Sequence, residues 1–158
     1  MDVALLTRRP RPFGALRLGR LLIGAGIVAC ADFEGISDPT RRLPDQVVES
    51  PDFQQDIVPI FELRCATGGC HTPAARQADL VLTRDSAHTA LVNRPAQLRP
   101  DRVRVVPGDA DTSWLMSMLG EDQSARGGFS RMPLASSPLT PNQLATIVNW
   151  IDRGAPPD

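Results

Sequence analysis

Apolar residues fall into short clusters separated by stretches rich in Pro, Gly, Arg and Asp. Residues 21–31, LLIGAGIVACA, form an unbroken apolar run of 11 behind a basic segment. A helix spanning a bilayer takes about 20 residues, so this run suits the apolar core of a secretory signal peptide instead. Residues 31–50 mix acids, Pro and Arg without periodicity and read as a tether. From Ser50 the pattern turns helical. Ser50 suits an N-cap and Pro51 the first helical position, and Phe53, Ile57, Ile60 and Phe61 recur at helical spacing. Pro59 lacks a backbone donor, so this helix is expected to kink or to break into two pieces. The second piece leads into Cys65.

Further on, residues 72–82 read as loop and Thr83–Val92 as a short helix. Residues 93–108 are irregular, with Val103, Val105 and Val106 as an apolar anchor and Pro107-Gly108 as a turn. Asp109 or Asp111 caps a helix over about residues 111–119, which Gly120 ends. Its apolar face is Trp114, Leu115, Met118 and Leu119. Residues 121–138 form a loop. The last helix has the strongest signals: Thr140 as N-cap, Pro141 at the first position and Gln143 completing a T-x-x-Q capping box. Leu144, Ile147, Val148 and Ile151 point inward, and Gly154 ends the helix.

Composition changes this picture in two ways. Aromatics are few, five Phe and two Trp with no Tyr, so the side chains alone build a modest core. A large apolar cofactor would add the missing buried surface. Charge is uneven: Arg8, Arg9, Arg11, Arg17 and Arg20 precede the apolar run, with Asp2 the single acid among them. Removal of residues 1–29 leaves 12 Arg against 17 acids, a mature charge of about −5 that gives no nucleic-acid footprint. An acidic electron carrier suits a basic partner surface.

The candidate chemistry is concentrated in Cys65-Ala66-Thr67-Gly68-Gly69-Cys70-His71. Two thiols followed directly by an imidazole suit covalent haem: each thiol adds across a vinyl group, and the adjacent histidine binds the iron. The usual spacing is C-x-x-C-H; here it is two residues longer. The extra residues must bulge, and Gly68 with Gly69 make that inexpensive. Two other readings of the motif stand beside it. Cys65 and Cys70 could close a disulfide in an oxidising compartment. The same three side chains could start a zinc site, but a fourth ligand is wanting. His88 is the one other histidine in the chain and a weaker candidate ligand, as are Met116 and Met118. Trp114 and Leu115 are candidates to line a haem pocket. Trp150 is expected near the haem edge or at a helix crossing.

The loop, together with Leu91-Val92-Asn93, Val106-Pro107-Gly108-Asp109, Arg131-Met132-Pro133-Leu134 and Asn149 to Ala155, resembles the monohaem cytochrome c-like domains of exported bacterial proteins, in their C-x4-C-H variant. These segments occur in the family's order and cover about residues 52–155. The resemblance implies an all-α, cytochrome c-like small helical domain over residues 51–155, with long loops around one haem c. It implies Cys65 and Cys70 as the covalent attachment, His71 as proximal iron ligand and Met132 as distal ligand. A thioether is a soft, neutral ligand that favours reduced iron and raises the potential. With both axial positions filled, the expected function is one-electron transfer with redox protein partners. Oxygen activation is not expected.

Ile27-Val28-Ala29-Cys30 resembles a bacterial lipobox. It implies a signal peptide over residues 1–29, a lipid on Cys30 as the mature N-terminus, and a tether over 30–50. One lipidated and two thioether cysteines account for all three cysteines. The expected location is the periplasm, with the lipid in a membrane. Asp32 is third in the mature chain, so the simple inner-membrane retention signal is absent, which favours the outer membrane. Two alternatives remain at this point. One is a haem enzyme or sensor with a labile sixth ligand. The other is a haem-free lipoprotein interaction module with a Cys65–Cys70 disulfide.

Overall fold

A computed structural model describes residues 43, 46–134 and 136–158. The expected signal peptide, Cys30 and most of the expected tether lie outside the described residues. Asp52, not Ser50, caps the first element, its carboxylate accepting from the Gln55 N–H at 2.7 Å. A π-helical turn, Phe53–Ile57, runs into helix α1, Val58–Arg64. Pro59 therefore falls in the first turn of α1, where a missing N–H costs nothing. The wider π turn takes up the break that proline demands.

A 3₁₀ turn, Gln77–Asp79, precedes helix α2, Ala87–Leu91. An antiparallel hairpin follows, β1 at Pro95–Ala96 and β2 at Arg99–Val103, with Pro95 opposite Val103 and Ala96 opposite Arg99. Helix α3 is Trp114–Leu119 and helix α4 is Pro141–Asp152. The expected all-α, cytochrome c-like fold is therefore corrected. Three of the four α-helices are seven residues or shorter, and a two-stranded sheet stands where irregular chain was expected. The hairpin carries no alternation of apolar and polar residues. It is held instead by backbone bonds that continue beyond it, Arg104 N–H to Arg94 O at 2.7 Å and Asn93 N–H to Val105 O at 3.0 Å.

Helix α4 is the one long helix among the described residues. Thr140 and Gln143 form the reciprocal capping box, and Gly154 takes φ +98°. The Ala155 N–H then reaches Trp150 O and the Gly154 N–H reaches Ile151 O, each at 2.9 Å, a Schellman ending. Its buried face is Gln143, Thr146, Ile147, Trp150 and Ile151, so Leu144 and Val148, expected inside, are only half-buried. Thr146 and Gln143 are polar, yet both side chains are hydrogen-bonded, Thr146 Oγ1 donating to Asn142 O and Gln143 Oε1 accepting from the Thr140 N–H. The chain before residue 51 is also fixed here: Thr146 Oγ1 accepts from the Val48 N–H, and Asn149 Nδ2 donates to Val48 O.

Phe53 crosses α4 at Trp150, with ring centroids 5.1 Å apart, and His88 meets the Phe53 ring edge-on at 5.3 Å. Phe53, Ile57, Ile60 and Phe61 pack with Leu91, Val105, Ile147 and Ile151 into one core. That core seats α1, and so fixes the point at which the cysteine–histidine loop leaves it.

Candidate functional site

The chain leaves α1 with two N–H groups, those of Cys65 and Ala66, donating to the Phe61 carbonyl at 2.8 Å each. The Cys70 N–H closes a turn onto Thr67 O at 2.9 Å, and the His71 N–H returns to Cys65 O at 3.2 Å. Of the two glycines, Gly69 takes the left-handed conformation, φ +84°. The five-residue step from Cys65 to Cys70 is thus folded back on itself, and both cysteines face one cavity.

That cavity has a volume of about 610 Å³, within the range of small-molecule and cofactor sites. Cys65, Cys70 and His71 line one part of it, and Met132 and Pro133 another. Leu80, Leu82, Leu91 and Leu119 supply apolar wall. Trp114 and Leu115 line it from α3, as does Met118. The structure places Trp150 elsewhere: it is fully buried at the crossing with Phe53, its Nε1 donating to Pro156 O at 2.9 Å. His88 is also turned away, its Nε2 donating to the Ala155 carbonyl at 2.9 Å. Met116 packs against the core and not into this cavity.

The His71 ring is fixed by its backbone surroundings. Nδ1 lies 3.1 Å from Gln77 O and 3.3 Å from Leu80 O. Carbonyl oxygens only accept, so Nδ1 carries the hydrogen and Nε2 keeps its lone pair. Burial pushes the imidazole below its ordinary pKa; the two carbonyls oppose this and the Arg104 charge adds to it. A neutral ring with a free Nε2 is the form that binds a metal. Burial likewise pushes the Cys65 thiol up to about 12, against a lowering by Arg64. Both Cys65 and Cys70 are free thiols.

Met132 is half-buried, and its N–H donates to Met118 O at 2.9 Å, which pins the loop to α3. The Met132–Pro133 peptide is cis. Sequence reasoning passed over Arg64 and Arg104, the two arginines in the lining. Arg64 sends one guanidinium nitrogen to Ser137 O at 2.6 Å, while its buried Nε has no acceptor. No periodicity marks either residue; only their places beside the cysteine loop and the hairpin do. Leu98 and Leu134 stand exposed at the rim, 59% and 53% accessible. Among the described residues, no three of His, Cys, Asp and Glu are grouped as a metal-ion site. No protein-family model, curated protein or solved structure matches the chain.

Proposed function

We propose that this chain is an exported c-type haem protein that transfers single electrons. One observation carries the reading: Cys65, Cys70, His71 and Met132, drawn from two distant loops, line the same apolar cavity. The chemistry of the lining suits the group. The wall is leucine-rich, its arginines suit the carboxylates of a haem, and the orphaned Arg64 Nε–H lacks an acceptor. When bound, haem supplies an iron that cycles between ferric and ferrous states.

The chain's own residues have separate tasks. Cys65 and Cys70 would hold the group covalently: each S–H would add across a vinyl C=C, the π bond giving way to one sulfur–carbon and one carbon–hydrogen bond, with no oxidant needed. His71 would offer Nε2 to the iron, with its Nδ1–H on the Gln77 and Leu80 carbonyls raising the basicity of the ring. Met132 would offer a neutral sulfur, which would favour the reduced state. The leucine wall excludes water and lowers the local dielectric. A lipid on Cys30 would hold the domain at a membrane facing the periplasm.

The test is a pyridine haemochrome spectrum of the chain made alongside a c-type maturation system. A c-type α-band that survives acid–acetone extraction is the expected result. A haem-free product with a Cys65–Cys70 disulfide by mass would overturn the proposal. For the anchor, a globomycin-type block of lipoprotein processing should accumulate the precursor.

A further inference from the structure

Arg104 sits between three structural elements. Its backbone is tied on both sides, the N–H to Arg94 O at 2.7 Å and the carbonyl accepting from the Leu115 N–H at 2.9 Å. The guanidinium is therefore launched from a fixed point. One terminal nitrogen, Nη1, donates to Ala90 O in the last turn of α2 at 2.8 Å. The other, Nη2, donates to Ala78 O at 3.0 Å and lies 3.3 Å from Asp79 O. Both of those carbonyls belong to a segment in an unfavourable conformation. Arg76, Ala78 and Asp79 have φ of 44°, 54° and 50°, a left-handed region that is unfavourable for non-glycine residues. Such a run persists only when its surroundings hold it. Gln77 and Leu80, whose carbonyls receive the His71 Nδ1–H, lie within and directly after this run.

We propose that Arg104 is a positioning residue for His71: its guanidinium clamps the Ala78–Asp79 carbonyls to α2 and so keeps the Gln77 and Leu80 carbonyls on Nδ1. The inference rests on His71 as the iron ligand, but the clamp itself is a property of the chain without haem. Arginine suits the task because its planar fork reaches Ala90 and Ala78 together. A lysine ammonium is a single point donor on a flexible stem, without that fixed fork. The small φ > 0 turn then acts as a spring held closed from one side.

The test has two stages, and the first needs no haem. In the haem-free full chain, nitrogen-15 shifts report which ring nitrogen of His71 carries the proton. The native chain should show the Nδ1–H form. Arg104→Met should move His71 towards the tautomer mixture of a solvated imidazole. Arg104→Lys should fall between the two, and it carries the same test if Arg104→Met is too unstable to purify. Adding Ala78→Gly to either variant should restore part of the Nδ1–H signal, because glycine takes the left-handed turn without the clamp. In the haem-loaded protein, both Arg104 variants should raise the reduction potential, since a less basic imidazole stabilises ferric iron less. Variants that melt earlier, yet keep the native His71 tautomer, would overturn the proposal and leave Arg104 as a cap of α2. A chain that takes up no haem fails the functional reading alone, because the tautomer measurement is independent of it.

Discussion

The Met132 N–H donates to the Met118 carbonyl at 2.9 Å, and both side chains line the cavity that holds Cys65, Cys70 and His71. Two thioethers are thus available on one side of the site, but they differ in their freedom. Met118 lies inside α3, where its backbone is committed to the helix. Met132 lies in the loop before α4.

Met132 is the expected axial sulfur. In the haem-loaded protein, Met132→Ala should abolish the near-infrared sulfur-to-iron band and let cyanide or CO bind readily. Met118→Leu should keep the band, because leucine fills nearly the same volume in the wall. A band lost in Met118→Leu and kept in Met132→Ala would reverse the assignment.

The two cysteines should differ in reactivity in the haem-free chain. Cys65 is buried, and its thiol is pushed up to about 12. At pH 8 very little Cys65 is then thiolate, the form that reacts. Cys70 is half-exposed on the turn closed by Thr67. Iodoacetamide at pH 8 should therefore label Cys70 first, by a wide margin, in the reduced haem-free chain. Peptide mass mapping over a time course reads the order, and equal labelling would mean the loop opens in solution.

The elements that the sequence makes legible are those whose signals are local. The α4 capping box, its Pro141 start and its Gly154 ending are all readable because each depends on residues within one turn. The grouping of Cys65, Cys70 and His71 on one loop is equally local, whereas their meeting with Met132 in one cavity is not. The hairpin was not legible: Pro95, Arg99 and Pro100 carry no strand pattern, and their pairing is set by the chain that flanks them. Asp52 displaced Ser50 as the first cap because its carboxylate meets the Gln55 N–H, a choice that propensity alone does not separate. The inward face of α4 departs from its apolar periodicity at Leu144 and Val148, since Thr146 and Gln143 are buried by partners distant in sequence or specific to the cap. Arg104 was invisible for the same reason: its three acceptors lie 14 to 26 residues away.

Stability of the haem-free chain should depend on pH through His71. Burial holds the folded imidazole below its ordinary value of 6.5. At pH 7.5 and above, both the folded and unfolded forms are neutral, and the residue adds no pH dependence. As pH falls below about 6.5, the unfolded chain takes up a proton that the folded chain resists. Stability is therefore lost progressively on the acid side, until the folded ring also titrates. Urea unfolding at pH 7.5 and 5.5 should show this loss in the native sequence and a smaller one in His71→Gln. An equal loss in both would assign the pH dependence to other groups.

The two tryptophans separate stability from site chemistry. Trp150 is fully buried against Phe53 and bonds Pro156 O, away from the cavity. Trp114 lines the cavity, meets Phe129 edge-on at 6.1 Å, and carries the guanidinium carbons of Arg99 and Arg102 at 5.5 and 5.7 Å from its ring. Trp150→Phe removes ring volume from a close-packed core and leaves a carbonyl without its donor, a cost on the order of 2 kcal/mol. It should leave the visible spectrum and potential of the haem-loaded protein unchanged. Trp114→Phe keeps an aromatic in place but withdraws the indole from the wall and weakens its hold on the two arginines. It should shift the spectrum or the potential, with a smaller loss of stability. Urea unfolding and spectroelectrochemistry on the same two variants decide the matter. A spectral change in Trp150→Phe with none in Trp114→Phe would mean that the cofactor lies against α4 and not in the cavity beside α3.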